Sequence, residues 1–285
     1  MNYSKLNSKT KGIIFIILSA FGFAMMSAFI KLSGDLPSFQ KTFFRNIVSL
    51  LVAAFLITNH KSKFFGKREN QRKLILRSTF GTLGIILNYY AIDRLILSDA
   101  NILNKLSPFF VIIFSFIFLK EKINKKQILA IITAFIGALF IIKPSFSSEM
   151  LPAIIGTFGG IFAAAAYTTV RSLSGKENPD TIVFYFSFFS SLVTLPLTII
   201  SYKPMALIQL LYLILAGVFA SLGQFGITFA YKYAAAKDIS IFDYTNIIFS
   251  AFISLVLFGV LPDYLSVIGY IIIFLSSLYM LIFNK

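Results

Sequence analysis

The chain has 285 residues; 58% are hydrophobic, 13% are charged, and the mean hydropathy is +0.85. That charged share is about half that of an ordinary soluble domain, and a soluble globule leaves too much surface wet to hide so many apolar side chains. With no cysteine and one histidine, His60, the chain has no disulfides, thiol catalysis, Cys-based metal sites or paired-imidazole chemistry. The net charge of +15 invites a nucleic-acid reading, which has to compete with membrane topology.

A membrane helix needs about 20 mostly apolar residues. In chain order such stretches run Gly12–Ile30, Thr42–Thr58, Leu74–Ile92, Ser98–Leu119, Gln127–Ile142, Leu151–Val170, Thr181–Ser201, Ala206–Tyr231, Ile239–Val260 and Tyr264–Phe283. The expected fold is therefore an all-α integral membrane protein of ten transmembrane helices. Lys5, Lys9 and Lys11 before the first stretch resemble the basic start of a signal peptide. That stretch is long and nine others follow, so it is expected to be retained.

Ten spans put both termini on one side and divide the connections into two sets. One set holds Lys31, Lys41, Arg94, Lys143 and Lys203. Arg45 and Lys105 lie within spans, which leaves nineteen of the 26 basic residues in the other set, Arg77 among them. Lys and Arg accumulate in cytoplasmic loops. Both termini are thus expected in the cytoplasm of a multi-pass cell-membrane protein. The excess charge sits in short loops without interleaved aromatics, so no nucleic-acid partner is expected.

The two halves echo each other. Lys31–Gly34 (KLSG) matches Ser172–Gly175 (SLSG), and Gly81–Gly84 (GTLG) matches Ala220–Gly223 (ASLG). The second match is a shift of 139 residues and pairs Asn104 with Asp243. Five spans per half force the second copy to enter the membrane in the opposite direction. The expected organisation is two inverted five-helix repeats, residues 1–145 and 146–285, of the kind that place a site near the midplane of secondary transporters.

Residues Tyr89–Pro144 resemble the fourth and fifth spans of an EamA-type transporter of the drug/metabolite transporter superfamily. The likeness rests on a small-residue start at Ser98–Ala100, Ser107-Pro108 in mid-span, Lys120-Glu121-Lys122 at the span's end, and Gly137 in the next helix. Phe43–Leu50 (FFRNIVSL) resembles the second span of the same superfamily. In the second half, the counterpart of Glu121 falls on Leu261, with Asp263 nearby. The resemblance implies transport of small metabolites, a cavity among spans 3, 4, 8 and 9, and gating by spans 1 and 6.

Polar groups inside a bilayer are costly and so mark candidate function. Span 4 carries Asn101, Asn104, Lys105, Pro108 and Ser115 on one stripe, and span 9 carries Ser240, Asp243, Asn246, Ser250 and Ser254. Lys105 offers a cation for a carboxylate or phosphate. Asp243 offers an anion for an ammonium group, or a proton acceptor for coupling. Pro108 removes a backbone hydrogen bond and should kink span 4. Straight helices would leave Lys105 and Asp243 roughly 10 Å apart along the membrane normal, so a direct bridge needs a kink or rearrangement; the two are expected as poles of one site or as a contact made in one state only. Asn88 and Tyr89 in span 3, Tyr167 in span 6, Gln224 in span 8 and Tyr244 in span 9 complete the candidate substrate-binding set. Arg45, near one end of span 2, is expected to snorkel. Gly156, Gly160 and Ala163 in span 6 form a small-residue face suited to close helix packing, within the chain or in a dimer.

No Walker A sequence is present, so ATP does not drive the process directly and no cofactor is expected. An enzyme would need a nucleophile with a base or clustered metal ligands, and none is evident. A channel usually builds its filter by symmetry. The expectation is a secondary active transporter, possessing no catalytic or metal residues, whose partners are the lipid bilayer and a small amphipathic metabolite. An amino acid, related zwitterion or cation fits the two charges; a nucleotide, sugar phosphate or drug-like cation is the alternative. Monomer and homodimer both remain open.

Overall fold

The structure is a computed structural model that describes residues 7–119, 124–142, 150–234, 239 and 242–283. The Lys120-Glu121-Lys122 motif and Ser240 lie outside them. Among the described residues the regular structure is helical, with no strand. In chain order the helices are α1 (Ser8–Leu32), α2 (Ser38–His60), α3 (Gln71–Arg94), α4 (Leu97–Asn104), α5 (Ser107–Leu119), α6 (Lys125–Ile142), α7 (Met150–Leu173), α8 (Pro179–Ile200), α9 (Leu207–Tyr233), α10 (Thr245–Phe258) and α11 (Tyr264–Phe283). A short 3-10 turn, Arg68–Asn70, precedes α3.

Among the described residues six helical runs are long and apolar enough to cross a membrane: Ser8–Leu32, Ser38–His60, Leu97–Phe118, Met150–Leu173, Pro179–Ile200 and Leu207–Tyr233. Ile128–Ile142, Thr245–Phe258 and Tyr264–Ser276 are shorter apolar helices. Helix α3 has 24 residues, but Arg72, Lys73, Arg77, Asp93 and Arg94 lower its apolar content. Large apolar side chains such as Phe55, Phe118, Ile200, Leu207, Ile248 and Phe252 are exposed, while Asn46, Ser49, Asn101, Ser190, Gln224 and Asn246 are buried. That distribution is inside out for a water-soluble protein and suits a lipid surround, because a soluble protein rarely exposes so much contiguous apolar surface.

Each half packs mainly against the other. Helix α1 lies on α9, α3 on α7, α2 on α8, α6 on α11, and α4 on α10. Exchange the halves (α1 for α7, α2 for α8, α3 for α9, α4 and α5 for α10, α6 for α11) and the same pairings return. Small residues make the contacts close. A Cβ on Gly22 of α1 would sit 2.8 Å from the Gly223 nitrogen in α9, so only glycine lets these backbones approach. The Gly156, Gly160 and Ala163 face of α7 is likewise used inside the chain, against Ala91, Leu103 and Gly84.

The two ends of the bundle differ. One end gathers Lys61, Lys63, Lys67, Lys176 and Lys232 around a water-accessible vestibule of about 650 Å³. The opposite end is tied by polar links between elements. Lys41 pairs with Asp93, Lys203 with Asp35 at 2.7 Å, and Gln209 Nε2 donates to the Ser33 carbonyl at 2.8 Å. A smaller recess of about 430 Å³ lies beside those links. Lys41, expected in an aqueous loop, is fully buried because Asp93 supplies its counter-charge.

Candidate functional site

The site begins where a helix stops. Helices α4 and α5 share one expected span and are separated by a turn at Lys105 and Leu106. Pro108 explains the break: it has no N–H to offer the Asn104 carbonyl, and its ring crowds that carbonyl. The chain compensates locally. The Leu106 N–H donates to the Leu103 carbonyl at 3.2 Å, and the Tyr244 hydroxyl donates to the Lys105 carbonyl at 3.0 Å. Tyr244 itself occupies a turn just before α10. The two interruptions are 139 residues apart, the same shift that relates GTLG to ASLG. Broken helices at matching positions of two repeats are how membrane carriers expose backbone and charge to a buried site.

The breaks bring the two charges together. The Lys105 ammonium donates to both Asp243 oxygens at 2.8 Å, and the residues are only 6% and 5% exposed. This replaces the straight-helix separation of roughly 10 Å with the direct contact that a kink allows. That figure assumes straight helices with a constant rise, and neither span is straight at these residues.

Polar side chains stitch α1, α4 and α10 around the pair. The Ser27 hydroxyl donates to Asn101 Oδ1 at 3.0 Å, Asn101 Nδ2 donates to Ser250 Oγ at 2.9 Å, and Asn246 Nδ2 donates to the Ala20 carbonyl at 2.7 Å. Gly160 of α7 fits directly against the break. A Cβ there would lie 2.9 Å from the Leu103 carbonyl oxygen.

Beside the pair is a narrow cavity of about 70 Å³. Asn88, Tyr89, Asn101, Asn104, Lys105, Tyr167, Gln224 and Asn246 all line it. Asp243 reaches it through Lys105, and Tyr244 packs behind the break with its ring 6.5 Å from that of Phe109. All ten sequence-selected residues therefore gather at one place. The walls are broader than spans 3, 4, 8 and 9. Phe23 and Met26 come from α1, Arg45 from α2, Ala163 from α7 and Phe186 from α8. Tyr167 closes one side, and its ring lies 6.5 Å from that of Tyr231, which lines the basic vestibule.

Two arginines correct the sequence reading. Arg45 does not snorkel: it is fully buried in the wall, with a hydrogen bond from Nη1 to Asn46 Oδ1. Arg77 is not a loop charge: it is 2% exposed, and its Nη2 donates to Gln224 Oε1 at 2.8 Å. A signal for Arg77 exists in the sequence. Arg77, Gly81, Gly84 and Asn88 recur at spacings of four, three and four, one face of a helix. Among the described residues no group of three His, Cys, Asp or Glu is placed to hold a metal.

The sequence pattern of the EamA-like transporter family matches residues 10–143 and again residues 150–282. The chain belongs to the EamA-like transporter family. The pseudopaline exporter CntI of Pseudomonas aeruginosa (strain UCBPP-PA14) is 33% identical over 270 residues, covering 94% of each chain. Human solute carrier family 35 member G1 is 27% identical over 282 residues, covering 93% of this chain and 77% of its own. A crystal structure of a protein 11% identical superposes with a TM-score of 0.70 over 95% of this chain and 96% of its own, a likeness of fold alone. This EamA-like protein is a multi-pass membrane protein of two repeats, and its family is one of transporters rather than enzymes.

Proposed function

We propose that this EamA-like protein is a secondary active transporter carrying a small amphipathic metabolite across the cell membrane by alternating access. Ten segments cross the bilayer, the two halves (1–145 and 146–285) run in opposite directions, and the basic end with both termini is cytoplasmic. The observation that carries the reading is the cavity at the paired helix breaks, where Lys105 and Asp243 meet. Ligands of carriers bind at such midplane interruptions.

A cavity this narrow suits a closed state, since metabolite pockets run to about 300–1,000 Å³. The polar links at the opposite end favour closure there, and the vestibule behind Tyr231 favours the basic end as the next to open. Opening separates Lys105 from Asp243 and offers each to solute. Asp243 is the coupling residue, exchanging the Lys105 ammonium for a proton. Likeness to an exporter supports outward transport.

The test is counterflow in proteoliposomes. Radiolabelled amino acids, nucleosides, quaternary amines and sugar phosphates are screened with and without a proton gradient. A carrier takes up label faster when unlabelled solute is preloaded. Flux indifferent to preloading would mean a channel and would sink alternating access.

A further inference from the structure

The Lys105–Asp243 pair leaves two cations of the cavity unaccounted for. Arg45 and Arg77 each make one side-chain hydrogen bond, to Asn46 and to Gln224. Nε and Nη2 of Arg45, and Nε and Nη1 of Arg77, are buried with no hydrogen-bond partner. Four charged donors left unpaired are expensive inside a membrane protein, and such groups normally sit beside a carboxylate.

The surroundings keep them that way. Both guanidinium groups lie over the Phe186 ring, Arg77 at 3.7 Å and Arg45 at 5.8 Å from its centroid. A ring face attracts a cation, but gives its N–H groups no oxygen to bond. Gly81 leaves the room: a Cβ there would fall 2.6 Å from Arg77 Nη1 and 2.8 Å from the Phe186 ring. Among the described residues the acid beside the cavity is Asp243, and Lys105 bonds both its oxygens. Arg45, Arg77, Lys105 and Asp243 together leave the site with two uncompensated positive charges. Asn88 Oδ1, in the same wall, is a buried acceptor without a donor.

The approach has the same sign. Among the described residues five lysines and one acid, Glu177, line the vestibule, and Glu177 is engaged by the Lys67 N–H at 2.7 Å and Asn70 Nδ2 at 2.8 Å. A cleft of one charge concentrates ligands of the other.

We propose that the solute is a small organic oxyanion with a net charge near −2, whose carboxylate or phosphate groups are gripped by the free edges of Arg45 and Arg77. The planar fork of a guanidinium matches either group with two parallel hydrogen bonds. Asn88 receives a hydroxyl or amine of the same solute. This deepens the transporter reading above and rests on it.

The experiment uses the full chain in proteoliposomes and detergent, with citrate, glutamate, glycerol 3-phosphate, alanine, lysine and glucose as probes at equal ionic strength. At least one anionic probe should be exchanged and should raise the melting temperature, while alanine, lysine and glucose do not compete. Citrate and glutamate against glycerol 3-phosphate separate carboxylate from phosphate recognition. Arg45→Gln and Arg77→Gln should each weaken the half-saturating concentration about tenfold or more, and Arg77→Lys should recover part of it. Competition on the wild-type chain decides the matter even where a variant misfolds. Exchange of alanine, lysine or glucose without competition by any anion overturns the oxyanion proposal and leaves transport standing. Exchange of no probe, with no anion shifting the melting temperature, overturns both.

Discussion

Remove Asp243 and the Lys105 ammonium stays buried without its counter-ion. Both carboxylate oxygens bond it at 2.8 Å, and the next favourable feature is the Phe23 ring, 5.7 Å away. Water in the cavity offers partial relief, and polar cycles in bilayers average only about 0.6 kcal/mol. An ion pair less than a tenth exposed should cost more, about 3 kcal/mol on losing one partner. Replacing both residues by apolar ones of similar volume should cost about 1 kcal/mol or less, since no charge is then stranded. Asp243→Leu and Lys105→Met should therefore be strongly non-additive, with a coupling of about 2 kcal/mol or more. Reversible unfolding of the four proteins in mixed micelles measures the cycle. Additivity within about 0.5 kcal/mol would show that the pair braces nothing, and the reasoning from burial and distance would be wrong.

Three other outcomes follow from the same geometry. Gly160→Ala drives a methyl to within 2.9 Å of the Leu103 carbonyl oxygen, and overpacking of this kind should cost about 1–3 kcal/mol in thermal unfolding; an unchanged melting temperature would show that α7 yields freely. Tyr244→Phe strips the Lys105 carbonyl of its hydroxyl donor and should cost about 1–2 kcal/mol, read in the same assay, with no loss meaning that the break needs no support. The chain has no native cysteine, so single-cysteine labelling reads topology without background. In intact cells a membrane-impermeant maleimide should label Asp35→Cys and spare Lys63→Cys; the reverse pattern would invert the proposed orientation.

Much of the helical layout was legible because length and hydropathy fix where a helix can sit in lipid. The observed ends of α1, α2 and α11 lie within about four residues of the apolar runs, inside the usual boundary error. Helix breaks were only half legible. Pro108 announces the one after Lys105, whereas nothing in the local sequence announces the one at Tyr244; only the 139-residue shift points to it. The polar stripes of spans 4 and 9 pointed to Asn101, Asn104, Lys105, Asp243 and Asn246 because period 3.6 places them on one face. Their mutual distances were not legible, since straight-helix arithmetic fails where helices stop. Charge counting misassigned Arg77 and Lys41, and the snorkelling expected of Arg45 failed for the same reason. Such counting sorts a cation by its distance along the chain from a loop, whereas burial is decided by which helix face it occupies and what it meets there.

The most direct measurement is counterflow by reconstituted Lys105→Ala and Asp243→Asn beside the wild type, at matched protein and with folding checked by size exclusion. Both variants should lose transport of whatever solute the wild type exchanges. Wild-type exchange in both would place the transport site away from the paired helix breaks and contradict the account at its centre.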